Sequence, residues 1–340
     1  MLSLLHSAPM LASAINEQPD AMATESLDSL VSLCKASADS LRLQVLRVLR
    51  GDSFGVSELC ELFAIRQPAL SHHLKVLAAA GLVATRREGN SIFYSRAELG
   101  QRPELQGLQD SLFTAVDAIV LPDELVNRMA ALQQRRAANS QDFFRNNADK
   151  FREQQDLIAS SEQYADTVAQ VIQDAPLAKR ESVLEVGPGD GAFLDVLSPG
   201  FARVIALDNA AAMLETARAR ANDRGLTNVR FIHGDTGHSD LQAVKADCIV
   251  ANMVLHHTPD PAAVLRDIAG CLNPGGVVVI TDLCSHDQAW ARENCGDLWL
   301  GFAPEDLAKW AGRVGLTDIA SVYLAQRNGF KVQVRLFGHQ

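Results

Sequence analysis

Ser182-Val183-Leu184-Glu185-Val186-Gly187-Pro188-Gly189-Asp190-Gly191-Ala192-Phe193-Leu194 is the stretch that decides the fold. A short apolar strand runs into a turn with glycines at alternate positions, and the next residues read as the start of a helix. Glycine is needed where the backbone turns sharply and lets a ligand approach, because any Cβ would clash there. The stretch therefore reads as a nucleoside-binding loop. Its spacing is Glu-x-Gly-x-Gly-x-Gly, which differs from the dinucleotide fingerprint Gly-x-Gly-x-x-Gly. No Gly-Lys-Ser/Thr follows, which argues against a phosphate-gripping loop.

Working outward, Val204-Ile205-Ala206-Leu207-Asp208 is a second buried-type strand ending in a carboxylate, with Asn209 next to it. An acid at that strand tip can accept both hydroxyls of a ribose. Three further segments follow: Phe231–Thr236, then Asp247–His257, then Leu272–Asp282 with its Asn-Pro-Gly-Gly turn. In this order and spacing the chain from about residue 150 to 340 resembles the class I S-adenosylmethionine (SAM)-dependent methyltransferases. The resemblance implies an α/β fold with a doubly wound, Rossmann-like sheet. It also implies a site for SAM or its product S-adenosylhomocysteine (SAH). Glu185 and the backbone of Gly187, Gly189 and Gly191 would meet the amino-acid end, and Asp208, with Asn209 beside it, the ribose. Asp235 and Thr236 would border adenine, and Asn252 the methionyl part.

His256 and His257 close the fourth strand, where they read either as a base or substrate contact or as a structural pair; the catalytic residue stays unassigned. Asn252 is not followed by Pro-Pro-Tyr, so the signature of many nucleic-acid and protein methylators is missing and a small acceptor is expected. Trp290, Asn294, Asp297, Trp299, Leu300 and Phe302 form an aromatic-rich insertion after the fifth strand that reads either as the lining of a substrate pocket or, by default, as packing of a helix against the sheet.

At 340 residues the chain calls for two domains, and 47% hydrophobic residues suffice for packed cores. The net charge of −10 argues against nucleic acid for the whole chain, but a DNA-binding surface needs only one basic face. Six widely spaced cysteines with no Cys-x-x-Cys suit a reduced compartment, and no apolar run reaches the roughly 20 residues of a membrane span. A cytoplasmic protein is expected. Residues 1–25 read as a flexible tail without the basic start of a signal peptide.

A second informative stretch is Ile65-Arg66-Gln67-Pro68-Ala69-Leu70-Ser71-His72-His73-Leu74-Lys75-Val76-Leu77, closing at Gly81. Two helices over residues 26–50, the second capped by Asp39, and a short helix Val56–Phe63 capped by Ser57 precede it. Pro68 suits a first helical position, Leu70, Leu74 and Leu77 make an apolar stripe, and Gln67, Ser71, His72 and Lys75 lie opposite. A hairpin follows: Leu82–Arg87, the turn Glu88-Gly89-Asn90, and Ser91–Ser95. Residues 66–96 carry Arg66, Lys75, Arg86, Arg87 and Arg96 against the single acid Glu88, an excess of four that suits phosphate contacts.

This winged helix-turn-helix over about residues 26–96 resembles the ArsR-type bacterial repressors. The resemblance implies double-stranded operator DNA as partner, with Gln67, Ser71, His72, Lys75, Arg86 and Arg87 contacting it. It also implies a homodimer paired through the first helix and an apolar helix at residues 104–121. ArsR metal sensors often carry Cys-x-Cys before the recognition helix. Here Glu58-Leu59-Cys60-Glu61-Leu62 has one thiol, so no metal site is expected. Residues 122–160, with Arg135-Arg136 and Phe143-Phe144, read as a helical connector covering the cofactor pocket.

The domain expectation is a tail to 25, a winged-helix domain 26–121, a connector 122–160 and a methyltransferase domain 161–340. Two functions fit. One is a transcriptional repressor with SAM or SAH as effector, SAH being preferred by resemblance to regulators of the SAM cycle. The other is an active small-molecule methyltransferase with a fused autoregulatory DNA-binding domain. Arsenite methylation is disfavoured because Cys248 and Cys271 fall in a strand and a helix core.

Overall fold

The computed structural model describes residues 21–88, 91–97, 103–147 and 151–339. The tail to residue 20 and the hairpin residues Gly89 and Asn90 lie outside them. Chain entry is through α1 (Ala21–Ser37) and α2 (Ser40–Val48). The Asp39 carboxylate accepts the Arg42 N–H at 2.9 Å and so caps α2. Strand β1 (Phe54–Gly55) leads into α3 (Val56–Phe63). Its start differs from expectation: Gly55 N–H donates to Glu58 Oε2 at 2.9 Å, so Ser57 sits inside the first turn rather than capping it.

Helix α4 (Gln67–Ala79) has Gln67 first and Pro68 second, positions whose amides have no intrahelical acceptor in any case. Leu70, Leu74 and Leu77 are fully buried, and Gly81, at φ 71°, turns the chain into β2 (Val83–Glu88). Strand β3 (Ser91–Arg96) pairs antiparallel with β2 and with β1. The expected helix 104–121 is shorter: a 3-10 turn Pro103–Leu105 precedes α5 (Gln106–Asp117).

The 25-residue α6 (Asp123–Asn147) follows, then α7 (Phe151–Asp156) and α8 (Ser161–Asp174). The remainder alternates strand and helix: β4 (Ser182–Val186), α9 (Leu194–Gly200), β5 (Arg203–Asp208), α10 (Ala211–Asp223), β6 (Val229–His233), α11 (Ser239–Gln242), β7 (Ala246–Asn252). It closes with α12 (Pro261–Ala269), β8 (Leu272–Leu283), α13 (Trp290–Cys295), α14 (Pro304–Arg313), β9 (Leu316–Ala325) and β10 (Lys331–His339).

The seven-stranded sheet runs in the order β6-β5-β4-β7-β8-β10-β9. Pairs from β6 to β8 are parallel, and β10 is antiparallel to both of its neighbours. Every residue of β4 and β7 is buried, as expected of central parallel strands covered by helices on both faces. Chain order reverses between β4 and β7, so a crevice opens beyond their carboxyl ends. No helix among the described residues is long and apolar enough to cross a membrane.

Candidate functional site

A cavity of about 530 Å³ occupies that crevice, within the size range of small-molecule sites. It gathers Glu185, Gly187, Gly189, Asp208, Asn209, Asp235, Thr236 and Asn252 along its wall. Gly191 is the exception among the expected cofactor residues. It does not border the cavity; a Cβ there would meet Ala217 Cα at 2.9 Å, so this glycine lets α10 approach the turn. Gly187 is at φ 66°, and a Cβ would reach Val254 Cγ2 at 2.6 Å. Gly191 is likewise at positive φ, 78°, so both ends of the turn depend on glycine, the first packed under Val254 and the second under α10.

Orphaned polar atoms mark what the cavity is built to hold. Glu185 is 1% exposed, yet its Oε2 has no hydrogen-bond partner, and neither amide atom of the Asn252 side chain has one. Buried polar groups normally find partners, and each exception calls for an explanation. Burial, reinforced by Asp190 and Asp208, raises Glu185 to about 8. Burial also raises Asp208 to about 6, opposed by the Ala210 N–H that donates to its Oδ1 at 2.8 Å. An ammonium opposite Glu185 and hydroxyls opposite Asp208 would relieve both. The residues present therefore fit the amino-acid and ribose ends of SAM or SAH, which supplies a methyl on sulfonium when it is SAM. Met253, at the end of β7 and on the cavity wall, sits at φ 56° without being glycine, the kind of backbone strain that gathers at binding sites.

His257 also borders the cavity, with the Phe144 ring edge-on at 4.9 Å. Burial and the adjacent His256 hold it well below the ordinary imidazole range, so it is neutral. His256 is fully enclosed, and its Nδ1 lies 2.8 Å from Asp282 Oδ1. Burial opposes its charge, but the carboxylates of Asp282 and Asp297 outweigh that and raise it to about 9.

The connector α6 forms part of the same wall. Leu132, Arg136, Ser140 and Phe144 recur every four residues, so they share one helix face. Ala137, Ser140 and Phe144 border the cavity. One turn earlier, Arg136 Nε and Nη2 donate to the two Glu58 oxygens at 2.9 and 2.7 Å, Nη1 to Asp52 Oδ2 at 3.1 Å, and Nη2 to Ser53 O at 3.2 Å. The same Nη1 donates to Pro259 O at 3.1 Å, in the loop bordering the cavity, and the guanidinium stacks on Phe54 and Trp299. Sequence reasoning singled out Arg135-Arg136 and Phe143-Phe144 but gave Arg136 no role; an arginine between Arg135 and Ala137 carries no mark that distinguishes a buried clamp from a solvated charge.

On the other module, Gln67, His72 and Lys75 are exposed along α4, with Ser71 half-buried beside them. The wing divides. Arg87 is exposed, whereas Arg86 Nη1 donates to Gly301 O at 2.8 Å and its guanidinium lies 6.0 Å from the Phe302 ring. Phe93, opposite Arg86 in the hairpin, is buried against Trp299 at 5.7 Å. Arg96 is buried too, bonded to Leu46 O and Asp117. Two of the five basic residues read as facing phosphate are thus placed against protein.

A family profile described as "Methyltransferase domain" matches residues 124–333, more than half of the chain. The chain belongs to this methyltransferase family. Its domain has the class I fold, and such a domain implies SAM or SAH binding. A second profile, "Bacterial regulatory protein, arsR family", matches residues 39–85, so a helix-turn-helix of the DNA-binding kind is fused ahead of the methyltransferase domain.

Curated relatives include the "Ubiquinone biosynthesis O-methyltransferase" of Serratia proteamaculans (strain 568), 32% identical over 32% of this chain and 46% of that protein. The protein of the same name from Histophilus somni (strain 2336) is 31% identical over 33% and 48%. The chain spans about half the length of the curated relatives it matches. Among solved structures, the N-methyltransferase NodS from Bradyrhizobium japonicum WM9 in complex with SAH is 19% identical, covering 52% of this chain and 85% of that one at a TM-score of 0.42.

Proposed function

We propose that the protein is a DNA-binding transcriptional repressor whose methyltransferase domain takes SAM or SAH as effector. The observation that carries this reading is the continuous face of α6. Ser140 and Phe144 border the cofactor cavity, and Arg136, one turn away, clasps Asp52, Ser53 and Glu58 around the first helix of the helix-turn-helix. A ligand changes DNA affinity only by binding two conformations unequally, and a helix held by both modules is an element whose position both can bias. Dimerisation of the proposed repressor is supported by Leu27, Leu30 and Val31 on α1 and Leu108 on α5, apolar side chains left exposed.

The test is fluorescence anisotropy of the full chain on its own upstream DNA at fixed salt, alone and with SAM or SAH. SAH is expected to shift the operator Kd by roughly 5–150-fold, the usual span of allosteric coupling, and SAM by less. Asp208→Ala is expected to remove the shift while leaving ligand-free binding intact. Equal affinity in all conditions overturns the repressor reading.

A second reading is favoured by His257: a working methyltransferase acting on a hydroxyl of a small molecule and controlling its own expression. Methylating a hydroxyl needs a base beside the methyl donor, and this neutral imidazole on the cavity wall has the right protonation state. Relatives named as O-methyltransferases support the same class of acceptor. SAH release from SAM with phenolic acceptors, lost in His257→Gln, is the outcome that decides for it.

A further inference from the structure

Behind the cavity wall, His256 and His257 and the segment after α13 bring two imidazole nitrogens and one Asp297 carboxylate oxygen within 4.8 Å of one another. Asp297 Oδ1 is 3.9 Å from His256 Nε2 and 3.9 Å from His257 Nδ1. Backbone bonds fix this approach, since the amides of Leu298 and Trp299 both donate to His256 O, at 2.9 and 3.1 Å.

The carboxylate itself is what needs explaining. The Asp297 side chain is 0% exposed, and neither of its oxygens has a hydrogen-bond partner. An ionised carboxylate buried without a donor is costly unless a positive charge sits against it. His256 is the nearest positive charge, but at 3.9 Å neither it nor His257 reaches hydrogen-bond range, so both Asp297 oxygens stay without a donor. His256 meanwhile holds its Nδ1 against Asp282, leaving Nε2 turned toward Asp297. A carboxylate behind a histidine in this way is the arrangement that orients metal-ligating imidazoles.

We propose that His256 Nε2, His257 Nδ1 and an Asp297 oxygen form a site for one divalent transition-metal ion of the zinc class, with water as the fourth ligand. Two imidazoles and one carboxylate are a ligand set that zinc accepts. Tetrahedral bonds of about 2.0–2.2 Å place neighbouring donors roughly 3.3–3.6 Å apart, so the two 3.9 Å separations close by a few tenths of an ångström and the imidazole–imidazole separation, within 4.8 Å, closes by up to about 1.5 Å. His257 exchanges its 3.2 Å contact with Gly296 O for the metal bond. The ion tacks the loop bordering the cavity to the insertion whose Trp299 supports Phe93 of the wing. It is unrelated to the thiolate site considered around Cys60.

The experiment uses the full chain, stripped with a chelator and titrated with Zn²⁺ and with Co²⁺. One equivalent is expected to bind, Co²⁺ giving the intense visible bands of a tetrahedral site, and Zn²⁺ raising Tm. Asp297→Asn and His257→Gln are expected to lose that equivalent and the Tm gain, His72→Gln to keep both, and Asp282→Asn to weaken binding roughly 10–100-fold. His257→Gln, on the cavity wall, keeps the test decisive where Asp297→Asn fails to fold. An equivalent that persists in both variants, or none in the wild type, overturns the site. Asp297→Asn stabilising a chain that takes up no metal assigns the missing charge to a proton instead.

Discussion

The two bridges between the winged helix and the methyltransferase domain are made of different materials. At the wing, Phe93 lies against Trp299 and Arg86 donates to a neutral carbonyl, so the contact depends on shape and burial. At α6, Arg136 faces Asp52 and Glu58, so the contact depends on charge. The first kind, made by apolar burial and a bond to a neutral carbonyl, depends little on salt. The second responds directly to charges that titrate nearby, and it is the one adjoining the cofactor cavity. Asp260, which borders that cavity, raises Asp52 further and is itself raised by burial.

The largest test of this contrast is Arg136→Met. It leaves Glu58 and Asp52 without their buried partner and is expected to cost about 3–5 kcal/mol in urea unfolding; an unchanged midpoint removes the charged bridge from the account. Phe93→Ala is expected to cost about 3 kcal/mol through the cavity it leaves beside Trp299, with a loss that stays constant between low and high salt.

Next in size is a pH effect. Burial raises Asp52 from 3.8 to about 7, so the folded chain binds this proton more tightly than the unfolded chain. Stability therefore falls as pH rises from about 4 to about 7 on account of this group, by up to about 1.4 kcal/mol per pH unit. Asp52→Asn is expected to make the Tm–pH slope shallower in that window, and Phe93→Ala to leave it as it is. The smallest effect concerns the wing charges. Arg87→Ala is expected to lower the slope of log K against log salt for DNA by about 1, whereas Arg86→Ala leaves it unchanged, because that guanidinium serves the Gly301 carbonyl. Equal slopes for the two variants erase the division of the wing.

These differences also explain what could be read in the chain beforehand. The glycine turn, the acid closing β5 and the apolar stripe of α4 are local patterns, each dictated by the geometry of a few consecutive residues; the first two, with the segments that follow them, carried the methyltransferase resemblance, and it was the resemblance that implied the sheet and the eight residues that border one cavity. The wing failed as a count of charges. Strand side chains alternate faces, so adjacent Arg86 and Arg87 had to part, and which face was covered depended on an insertion more than 200 residues later. Arg136 and Asp297 could be named but given no role of their own, for a related reason. Their roles arise from partners distant in sequence, and neither carries a spacing that announces it. Gly191 fitted the motif but serves packing, since alternate glycines cannot reveal which of them faces a ligand.

Helix α6 has a consequence beyond joining the modules, because it keeps them in angular phase. Its clamp and its cavity face lie on one stripe only while 3.6 residues complete each turn. One residue inserted between Arg136 and Ser140 would swing the cavity face by about 100° relative to the clamp, and seven would bring it nearly back into line one longer step away. The connector is thus a shaft whose length and rotation are both specified between the clamp and the cavity face.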